Sequence, residues 1–482
     1  MSTTADASSS ERNAPVHNRG RLLQVLGVWF GIAAAIGNTI AAGIVRTPGD
    51  VAERLPNPWL FLGVWVLGGA YALVGASSMA ELGAMIPRSG GQYNFSRRGI
   101  GEYAGFLVGW SDWLSTCGTN AAVAIVIGEY SFGFVDHLNG HLPLLFNFVT
   151  SLDANSRTLG IKVIAVSILM LFAILQWRGV KWGSSAQLLT AAMKTGAFII
   201  VVAACFMLGG HLREAAAGSA VASPAIHLGW PLITAFLVAL QAVIYTVDGW
   251  DGVIYFGAEV KNPGRDVPRA IFGSVFSIMA IYLLLNAAVL YVLPMSEIAG
   301  NNFALGAAAN RIFGHRGDPA IRLIMIVSLL SCINACQMFA ARTLFAMSAD
   351  RLFFKQASRV NKGGTPVTAL LLSTVVGIIF ILGSFERVIA MLSFFFVANY
   401  ALSYASLFQL RKREPDAPRP YRAWGYPWTS AIALAASAIF LVASLATDRS
   451  NAPLAFLILA LSYPIYRVMK WAAAAADKVL KI

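Results

Sequence analysis

Residues 31–44 read Gly31-Ile32-Ala33-Ala34-Ala35-Ile36-Gly37-Asn38-Thr39-Ile40-Ala41-Ala42-Gly43-Ile44, so small and polar residues interrupt the first apolar segment of the chain. In the second half, the matching segment is interrupted at Ala242-Val243-Ile244-Tyr245-Thr246-Val247-Asp248-Gly249-Trp250-Asp251-Gly252-Val253. Inside a bilayer every backbone N–H and C=O needs a partner, so a helix unwinds only where it lines a cavity. One such break in each half predicts a midplane substrate site in a transporter built from inverted repeats.

Apolar residues dominate nearly the whole chain. Its 482 residues are 57% hydrophobic and only 12% charged, with a mean hydropathy of +0.66, whereas soluble domains carry about 25% charged residues. Runs long enough to span a bilayer recur almost throughout, which predicts an all-α polytopic membrane protein with about twelve transmembrane helices. We expect these spans near residues 22–45, 59–83, 103–131, 159–177, 185–209, 231–258, 268–294, 319–349, 366–384, 386–409, 427–446 and 451–471.

The order of the segments predicts the organisation of the chain. We expect a disordered cytoplasmic tail at 1–20, a transport core at 21–410 with inverted repeats at about 21–209 and 231–410, two additional transmembrane helices at 427–471, and a cytoplasmic tail at 472–482. The first twenty residues are polar and contain neither an apolar core nor a cleavage site, so no removable signal peptide is expected.

The net charge of +13 indicates a membrane orientation rather than nucleic-acid binding. Basic residues are concentrated in the loops that an even number of spans puts on the side of the termini, including the cluster Arg411-Lys412-Arg413. The loops on the opposite side carry few of them. Because positive residues stay cytoplasmic, we expect a multi-pass protein of the plasma (inner) membrane with both termini in the cytoplasm.

The sequence supports neither a cofactor nor a covalently attached partner. Cys117, Cys205, Cys332 and Cys336 all fall inside predicted spans, where packing is their expected role, so no disulfide-linked subunit is expected. All six histidines lie in predicted loops or tails, which gives no support to a histidine metal site. The sequence contains no phosphate-binding Gly-Lys loop, which argues against an ATP-driven pump.

Four motifs follow particular spans in a specific order. They are Ala80-Glu81-Leu82-Gly83-Ala84-Met85-Ile86-Pro87-Arg88-Ser89-Gly90-Gly91-Gln92-Tyr93 after the second span, Gly257-Ala258-Glu259-Val260-Lys261-Asn262-Pro263-Gly264-Arg265-Asp266-Val267-Pro268-Arg269-Ala270-Ile271 after the sixth, Arg342-Thr343-Leu344-Phe345-Ala346-Met347-Ser348-Ala349-Asp350 at the end of the eighth, and Ala417-Pro418-Arg419-Pro420-Tyr421 before the eleventh. With these motifs the chain resembles, over almost its entire length, the amino acid–polyamine–organocation (APC) superfamily of permeases. The break at Asp248-Gly249-Trp250 and the Glu259-to-Arg269 hinge look most like those of the bacterial relatives of the L-type amino acid transporters.

This resemblance implies the LeuT fold, a five-plus-five inverted repeat with broken helices 1 and 6, followed by two extra helices. It also implies amino acid transport by antiport or proton symport, with the lipid bilayer and a small-molecule amino acid as partners. The chain departs from the family at Ala41, where a glycine is usual, and the turn becomes less permissive for it. That departure predicts a narrower space beside the ligand. A second departure is Asp350-Arg351, where the family more often has Arg-Asp-Gly.

Residues Ile40 to Gly43 are the candidate binding site for a substrate carboxylate. The backbone N–H groups of Ala41, Ala42 and Gly43 would stand free at a half-helix N-terminus, where the helix dipole favours an anion. The alternative is a packing contact, because small residues also let transmembrane helices approach closely. The surrounding motifs favour the binding role.

In the second break, the carbonyls around Tyr245, Thr246 and Val247 would be unpaired and available to a substrate ammonium. The resemblance gives Tyr245 the aromatic position that covers the substrate from the outside. Asp248 and Asp251 are intramembrane carboxylates, which are functional candidates because their burial is costly. Two roles stay open for Asp248: contact with substrate, or capping of the second half-helix, which would favour a small or neutral amino acid.

Lys194 stands alone in the apolar run 186–209, at a depth where a lysine pairs with backbone carbonyls. The resemblance places it on the fifth helix, where sodium-coupled relatives hold a cation. An ammonium there would replace the ion and join the broken first helix to the fifth, which argues against sodium coupling. Two uses stay open, as a titratable group in a proton symporter or as a static cation in an exchanger.

Several uncharged polar residues are candidate cavity-lining groups. Ser331 and Asn334 recur with Ser328 on one side of the eighth predicted helix, and Thr116 and Asn120 lie on the third. Polar contact between helices is the commoner role of such residues in membranes, so both readings stay open for them.

Secondary active transport of amino acids by alternating access is the leading hypothesis. A polyamine or cationic amino acid transporter is the first alternative, because two acidic residues in one break would hold two ammonium groups. A transporter-like amino acid receptor is the second, although the short tails argue against it. No nucleophile–base pair occurs in any predicted span, so an enzyme is not expected.

Overall fold

The computed structural model describes residues 22–137, 153–210, 229–383, 385–447 and 452–479, and these are almost entirely helical. The α-helices are α1 (Val28–Thr39), α2 (Gly43–Arg54), α3 (Pro58–Met85), α4 (Gln92–Gly99), α5 (Glu102–His137), α6 (Ala154–Trp177), α7 (Val180–Leu208), α8 (Trp230–Val247), α9 (Pro263–Val292), α10 (Met295–Ile298), α11 (Ala304–Phe313), α12 (Gly317–Ala349), α13 (Val367–Leu382), α14 (Phe385–Arg413), α15 (Trp428–Thr447) and α16 (Ala452–Val479). The expected tail at 1–20 lies outside the described residues.

Each predicted span coincides with a helix or, for the first and sixth spans, with a broken helix. Within the described ranges, six helical segments are long and apolar enough to cross a membrane, and the bent pair α1–α2 makes a seventh. Helix α13 and the first part of α15 are shorter apolar helices. The architecture is therefore that of a polytopic helical membrane protein. The count of twelve spans and the inverted repeat stay predictions.

The first span is longer than the sequence predicts. Helix α1 ends at Thr39, α2 begins at Gly43, and the two are bent by 53° at the break. The predicted end at residue 45 is wrong, because α2 continues to Arg54. Hydropathy underestimates α2 because it is amphipathic. Its exposed residues are Arg46, Glu53 and Arg54, and its buried apolar residues are Ile44, Val45, Val51 and Ala52.

The second break lies at residues 248–251, between α8 and a 3-10 helix at Gly252–Tyr255. Gly249 has a φ of +103°, a conformation that glycine adopts at no steric cost. A Cβ at this position would collide with the Asn38 amide nitrogen and lie 3.0 Å from Thr39 Oγ1, so the two breaks touch. The prediction of a second α-helical half is wrong, because only this short 3-10 helix precedes the loop to α9.

The loops at residues 86–91, 256–262, 350–366 and 414–427 meet at one end of the helix bundle, which we call the basic face. Arg88 pairs with Asp350 at 2.8 Å, and Arg98 pairs with Glu414 at 2.6 Å. The backbone N–H of Gly90 in the first loop donates to the Tyr255 carbonyl at 3.0 Å, beside the second loop. Segments that the charge pattern assigns to one side of the membrane are thus joined at one end.

Glu81 connects the C-terminal part of the described chain to the core. Its carboxylate, fully buried at the end of α3, accepts from Arg411 at 2.8 and 2.6 Å and from Arg419 at 3.1 Å. It also accepts from the backbone N–H of Ala423 at 2.7 Å. The Ala80–Tyr93 motif and the Ala417–Tyr421 motif therefore serve one buried ion-pair cluster.

Candidate functional site

A small cavity of about 30 Å³ lies beside the two breaks. Helices α1, α4, α5, α12 and α14 surround it together with the second break and the 3-10 helix that follows. The residues that line it are Asn38, Gln92, Thr116, Thr119, Asp248, Gly249, Asp251, Tyr255, Cys336, Phe339, Phe396 and Tyr400. We call it the break cavity. A second cavity shares Asp248 with the first and reaches α3 and α15. Its lining includes Tyr71, Tyr245, Trp250, Tyr404 and Phe440.

The first break offers fewer free N–H groups than the sequence suggests. The Ala41 N–H donates to the Thr39 carbonyl at 2.9 Å, so it is already engaged. Ala42 is the N-cap of α2 and Gly43 is its first residue, and the first N–H groups of a helix have no partner within it. Ile40 is fully buried, and its carbonyl accepts hydrogen bonds from other helices. The anion-binding capacity of this break therefore rests on Ala42 and Gly43.

Gly43 stands against the second broken span. An added Cβ would lie 3.1 Å from Thr246 Cγ2 and 3.2 Å from Thr246 Oγ1. That hydroxyl is held 2.7 Å from Thr47 Oγ1, so Thr246 has little freedom to move away. The close approach of α2 to α8 thus depends on the absence of a side chain at residue 43.

We expect Gly43→Val to lower substrate affinity at least tenfold, because the branched side chain would push α2 away from Thr246 and crowd the N–H groups of its first turn. Binding to the purified protein, measured as a ligand-dependent rise in Tm, would test this. Gly196→Val is the matched control, because a Cβ at Gly196 in α7 meets no atom within 4 Å. Unchanged affinity in a folded Gly43→Val protein would remove residues 42–43 from the site.

The carbonyls of the second break are partly satisfied by the protein itself. Tyr282 on α9 donates its hydroxyl towards the Thr39 carbonyl at 2.8 Å and the Thr246 carbonyl at 3.2 Å. The Tyr245 carbonyl accepts from the Asp248 N–H at 3.4 Å. The expectation that the Tyr245 and Thr246 carbonyls are unpaired is therefore wrong. Tyr282, which the sequence analysis missed, links the ends of both broken helices.

The two aspartates of the second break differ in their surroundings. Asp248 is the C-cap of α8 and lines both cavities. Asp251 is 3% exposed and accepts from Gln92 Nε2 at 3.1 Å. The N-cap of the 3-10 helix is Asp251, and its side chain makes no capping hydrogen bond. Of the two roles left open for Asp248, capping of a second half-helix is therefore not observed, since Asp251 occupies that position. Tyr245 is 41% exposed and lies in the second cavity, away from the break cavity.

Lys194 is fully buried between α1, α7 and α12. Its ammonium donates to the carbonyls of Gly37 at 3.0 Å, Ile40 at 2.9 Å and Ser328 at 3.4 Å. Two of these carbonyls belong to the end of α1 and its break, and the third belongs to α12. An ammonium has three N–H donors, so each carbonyl is matched by one of them. Lys194 therefore holds the broken first span to two neighbouring helices.

Of the four uncharged polar residues considered as cavity-lining groups, one lines the break cavity and three do not. Thr116 lines it. Asn120 is buried with its amide 3.2 Å from both the Ile333 carbonyl and the Gln337 backbone nitrogen of α12.

Ser331 and Asn334 are bonded to α7, because Gln187 donates to Ser331 Oγ at 3.1 Å and accepts from Asn334 Nδ2 at 2.8 Å. Of the two roles left open for Asn120, Ser331 and Asn334, the structure shows polar contact between helices.

Asp112 is a buried carboxylate next to the break cavity that the sequence analysis did not single out. It accepts from the Tyr255 hydroxyl at 2.8 Å and from Thr343 Oγ1 at 3.1 Å, and it is 1% exposed. Its position inside the third predicted span is the signal that would have identified it. Gln92, Phe339 and Tyr400, which also line the cavity, carry no comparable signal in the sequence.

A buried ion pair joins α12 to the loop after the second break, which belongs to the basic face. Arg342 donates to both carboxylate oxygens of Glu259 at 2.8 Å, and the two side chains are 2% and 0% exposed. The guanidinium carbon also lies 4.6 Å from the centre of the Phe256 ring. Next to this pair, the Leu26 N–H donates to the Glu259 carbonyl at 3.0 Å, which ties the segment before α1 to the loop after the second break.

Residues 26–466 match the model of the family described as Amino acid permease. The chain belongs to this family. The permease is similar to the serine/threonine exchanger SteT of Bacillus subtilis (strain 168), with 29% identity over 456 residues that cover 93% of this chain and 97% of that protein. It is also 26% identical over 410 residues to the Asc-type amino acid transporter 1 of Mus musculus, covering 84% of this chain and 73% of that one.

A third relative of the permease is the large neutral amino acids transporter small subunit 2 of Homo sapiens. The two are 27% identical over 413 residues, which cover 83% of this chain and 72% of the human protein. These relatives are amino acid transporters by name, and the predicted membership of the APC superfamily is confirmed. The permease is accordingly a multi-pass membrane protein of the amino acid transporter class.

Proposed function

We propose that the permease moves amino acids across the plasma membrane by alternating access, as an exchanger or a proton symporter that does not use sodium. The observation that carries this proposal is the meeting of the two helix breaks, with Gly249 packed against Asn38 and Thr39 beside a polar cavity. Unwound backbone at the contact of two spans is the arrangement that secondary transporters use to bind substrate.

We assign the two charged groups of the substrate backbone to different breaks. The Ala42 and Gly43 N–H groups would bind the substrate carboxylate, because they stand at the positive end of the α2 dipole. The Val247 carbonyl, at the end of α8, would receive the α-ammonium group. The names of the relatives, among them a serine/threonine exchanger, make serine and threonine the first substrates to test.

The proposed architecture is the five-plus-five inverted repeat of the LeuT fold, with α1–α2 and α8 as its broken helices. In this arrangement the core runs to about residue 410, the helices after Trp428 are additional, and both termini face the cytoplasm. The basic face would then be the cytoplasmic end, in accordance with the positive-inside rule. The helix bundle containing both breaks would rock against the remaining core helices during transport.

Sodium independence is proposed from the contacts of Lys194. Its ammonium takes three carbonyl oxygens at the end of the broken first span and on α12. Carbonyl oxygens clustered in this way are the ligands that a hard cation such as sodium would require. The ammonium of Lys194, a permanent part of α7, would take the place of a transported ion there.

Uptake into proteoliposomes that contain the purified permease would test this function. We expect saturable uptake of at least one amino acid, with serine and threonine first in the panel, and less than a twofold change when choline replaces sodium. Internal substrate and an imposed pH gradient would be varied separately to distinguish exchange from proton symport. Liposomes with the Gly43→Val variant are the negative control. Sodium-dependent uptake would contradict the role of Lys194, and no uptake of any amino acid would contradict the function.

A further inference from the structure

Two carboxylates face the break cavity without a basic partner. Asp248 and Asp251 both line the cavity, and within the described ranges no ion pair joins either of them to a lysine or arginine. Lys194, the buried lysine of the neighbouring α7, directs its ammonium to backbone carbonyls instead. Burying carboxylates in a membrane without a compensating charge is costly. A positively charged ligand in this cavity would lower that cost.

The donors around these carboxylates are neutral and bring no positive charge. Gln92 gives one N–H to Asp251 at 3.1 Å, and the backbone N–H groups of Gly249 and Asp251 serve Asp248 and Asp251 respectively. The Tyr400 hydroxyl lies within reach of both carboxylates, but its single proton serves only one of them at a time. The Asp112 carboxylate, behind Tyr255, adds a third negative group to the same region and is bonded only to hydroxyls.

The remaining wall of the cavity suits an organic cation. Tyr255 and Phe339 stack with ring centres 4.5 Å apart, and Tyr400 and Phe396 complete the aromatic lining. Aromatic faces attract ammonium and guanidinium groups. Thr116 is 5% exposed, and its hydroxyl makes no hydrogen bond among the described residues although it lines the cavity. This unused hydroxyl is a further acceptor for a ligand N–H group.

We propose that the break cavity is a subsite for a cationic side chain, so that the permease selects amino acids carrying an amine or guanidine beyond the α-carbon. This inference rests on the proposed function, because the α-carboxylate is assigned to Ala42 and Gly43. The side-chain cation lies between Asp248 and Asp251, beside the rings of Tyr255 and Tyr400. The relatives are named for neutral amino acids, so a preference for a cationic side chain would distinguish this permease from them.

Arginine and citrulline form the appropriate probe pair, because they have nearly the same shape and differ in the charge of the terminal group. Binding would be measured as ligand-dependent thermal stabilisation of the purified permease, a readout that does not require transport. We expect wild type to bind arginine ten- to a hundredfold more tightly than citrulline. Asp248→Asn and Asp251→Asn should each reduce this ratio at least tenfold, with citrulline affinity changed less than threefold.

Glu129→Gln is the matched control, because this exposed acid of α5 lies outside the cavity and should leave the ratio unchanged. Equal binding of arginine and citrulline by wild type would overturn the subsite without involving any variant. Equal loss of both ligands in the aspartate variants would overturn it as well, since it would mean that the carboxylates act on structure alone. Putrescine binding as tight as that of arginine would overturn the requirement for an α-carboxylate.

The two proposals fail in different ways. Uptake of neutral amino acids with no preference for arginine would leave the transport function standing and remove the cationic subsite. Arginine-specific stabilisation in detergent without uptake of any amino acid into proteoliposomes would leave the subsite standing and remove transport.

Discussion

Replacement of Lys194 by methionine is expected to lower the rate of uptake at least a hundredfold. Methionine keeps most of the volume of the side chain but removes the ammonium, so the carbonyls of Gly37, Ile40 and Ser328 lose their shared donor. A hydrogen bond to a charged group is worth about 1.5–3 kcal/mol, and about 1.4 kcal/mol corresponds to a tenfold change. Loss of two or three such bonds therefore exceeds two orders of magnitude.

The measurement is initial uptake into proteoliposomes at equal protein content, accompanied by size-exclusion chromatography to check folding. Lys162→Met is the matched control, because Lys162 also donates to a backbone carbonyl, that of Leu382 at 3.3 Å, but on the exposed surface. The control should transport at close to the wild-type rate. A folded Lys194→Met protein with more than half the wild-type rate would show that the ammonium does not hold the broken span.

Loss of the Glu259–Arg342 ion pair should have the second large effect, on closure of the basic face. In Arg342→Met, Glu259 would remain buried with no cation beside it. Removing one partner of a buried pair costs about 3–5 kcal/mol. We expect the protein to avoid this cost by opening the basic face, so that water reaches the carboxylate.

Labelling of Cys336 by a water-soluble maleimide would report this opening, since this residue lines the break cavity on the same helix as Arg342 and is only 2% exposed. We expect labelling to become at least tenfold faster in Arg342→Met. Arg98→Met is the control at the same face, because the Arg98–Glu414 pair is 40% and 34% exposed and a surface pair contributes only about 0–1 kcal/mol.

A double variant distinguishes loss of the ion pair from loss of the arginine itself. Glu259→Gln combined with Arg342→Met leaves no uncompensated charge, so labelling should return to within about threefold of wild type. If the double variant labels as fast as Arg342→Met alone, the packing of Arg342 on Phe256 closes the face and the ion pair does not.

Features that depend on local chemistry could be read from the sequence alone. Each predicted span corresponds to a helix, because a bilayer requires long apolar segments whose backbone groups are paired within the helix. The breaks at residues 40–42 and 248–251 were predictable for the same reason, since small and polar residues such as Gly249 permit backbone that a regular helix excludes. The motifs in their order also predicted the family.

The partners of each polar side chain were decided only by the tertiary structure. Asn334 and Thr116 are both uncharged polar residues inside predicted spans, and the sequence does not distinguish their roles. In the structure, Asn334 contacts Gln187 between helices, whereas Thr116 lines the break cavity. Tyr282 is indistinguishable from a packing aromatic until its hydroxyl is seen to reach Thr39 and Thr246, which are far apart in the chain. Helix periodicity determines which residues share a face, but the rotation and depth of each helix depend on how all its neighbours pack. For that reason the sequence identified Asp248 as important, and only the packed structure separated a capping role from exposure to the cavity.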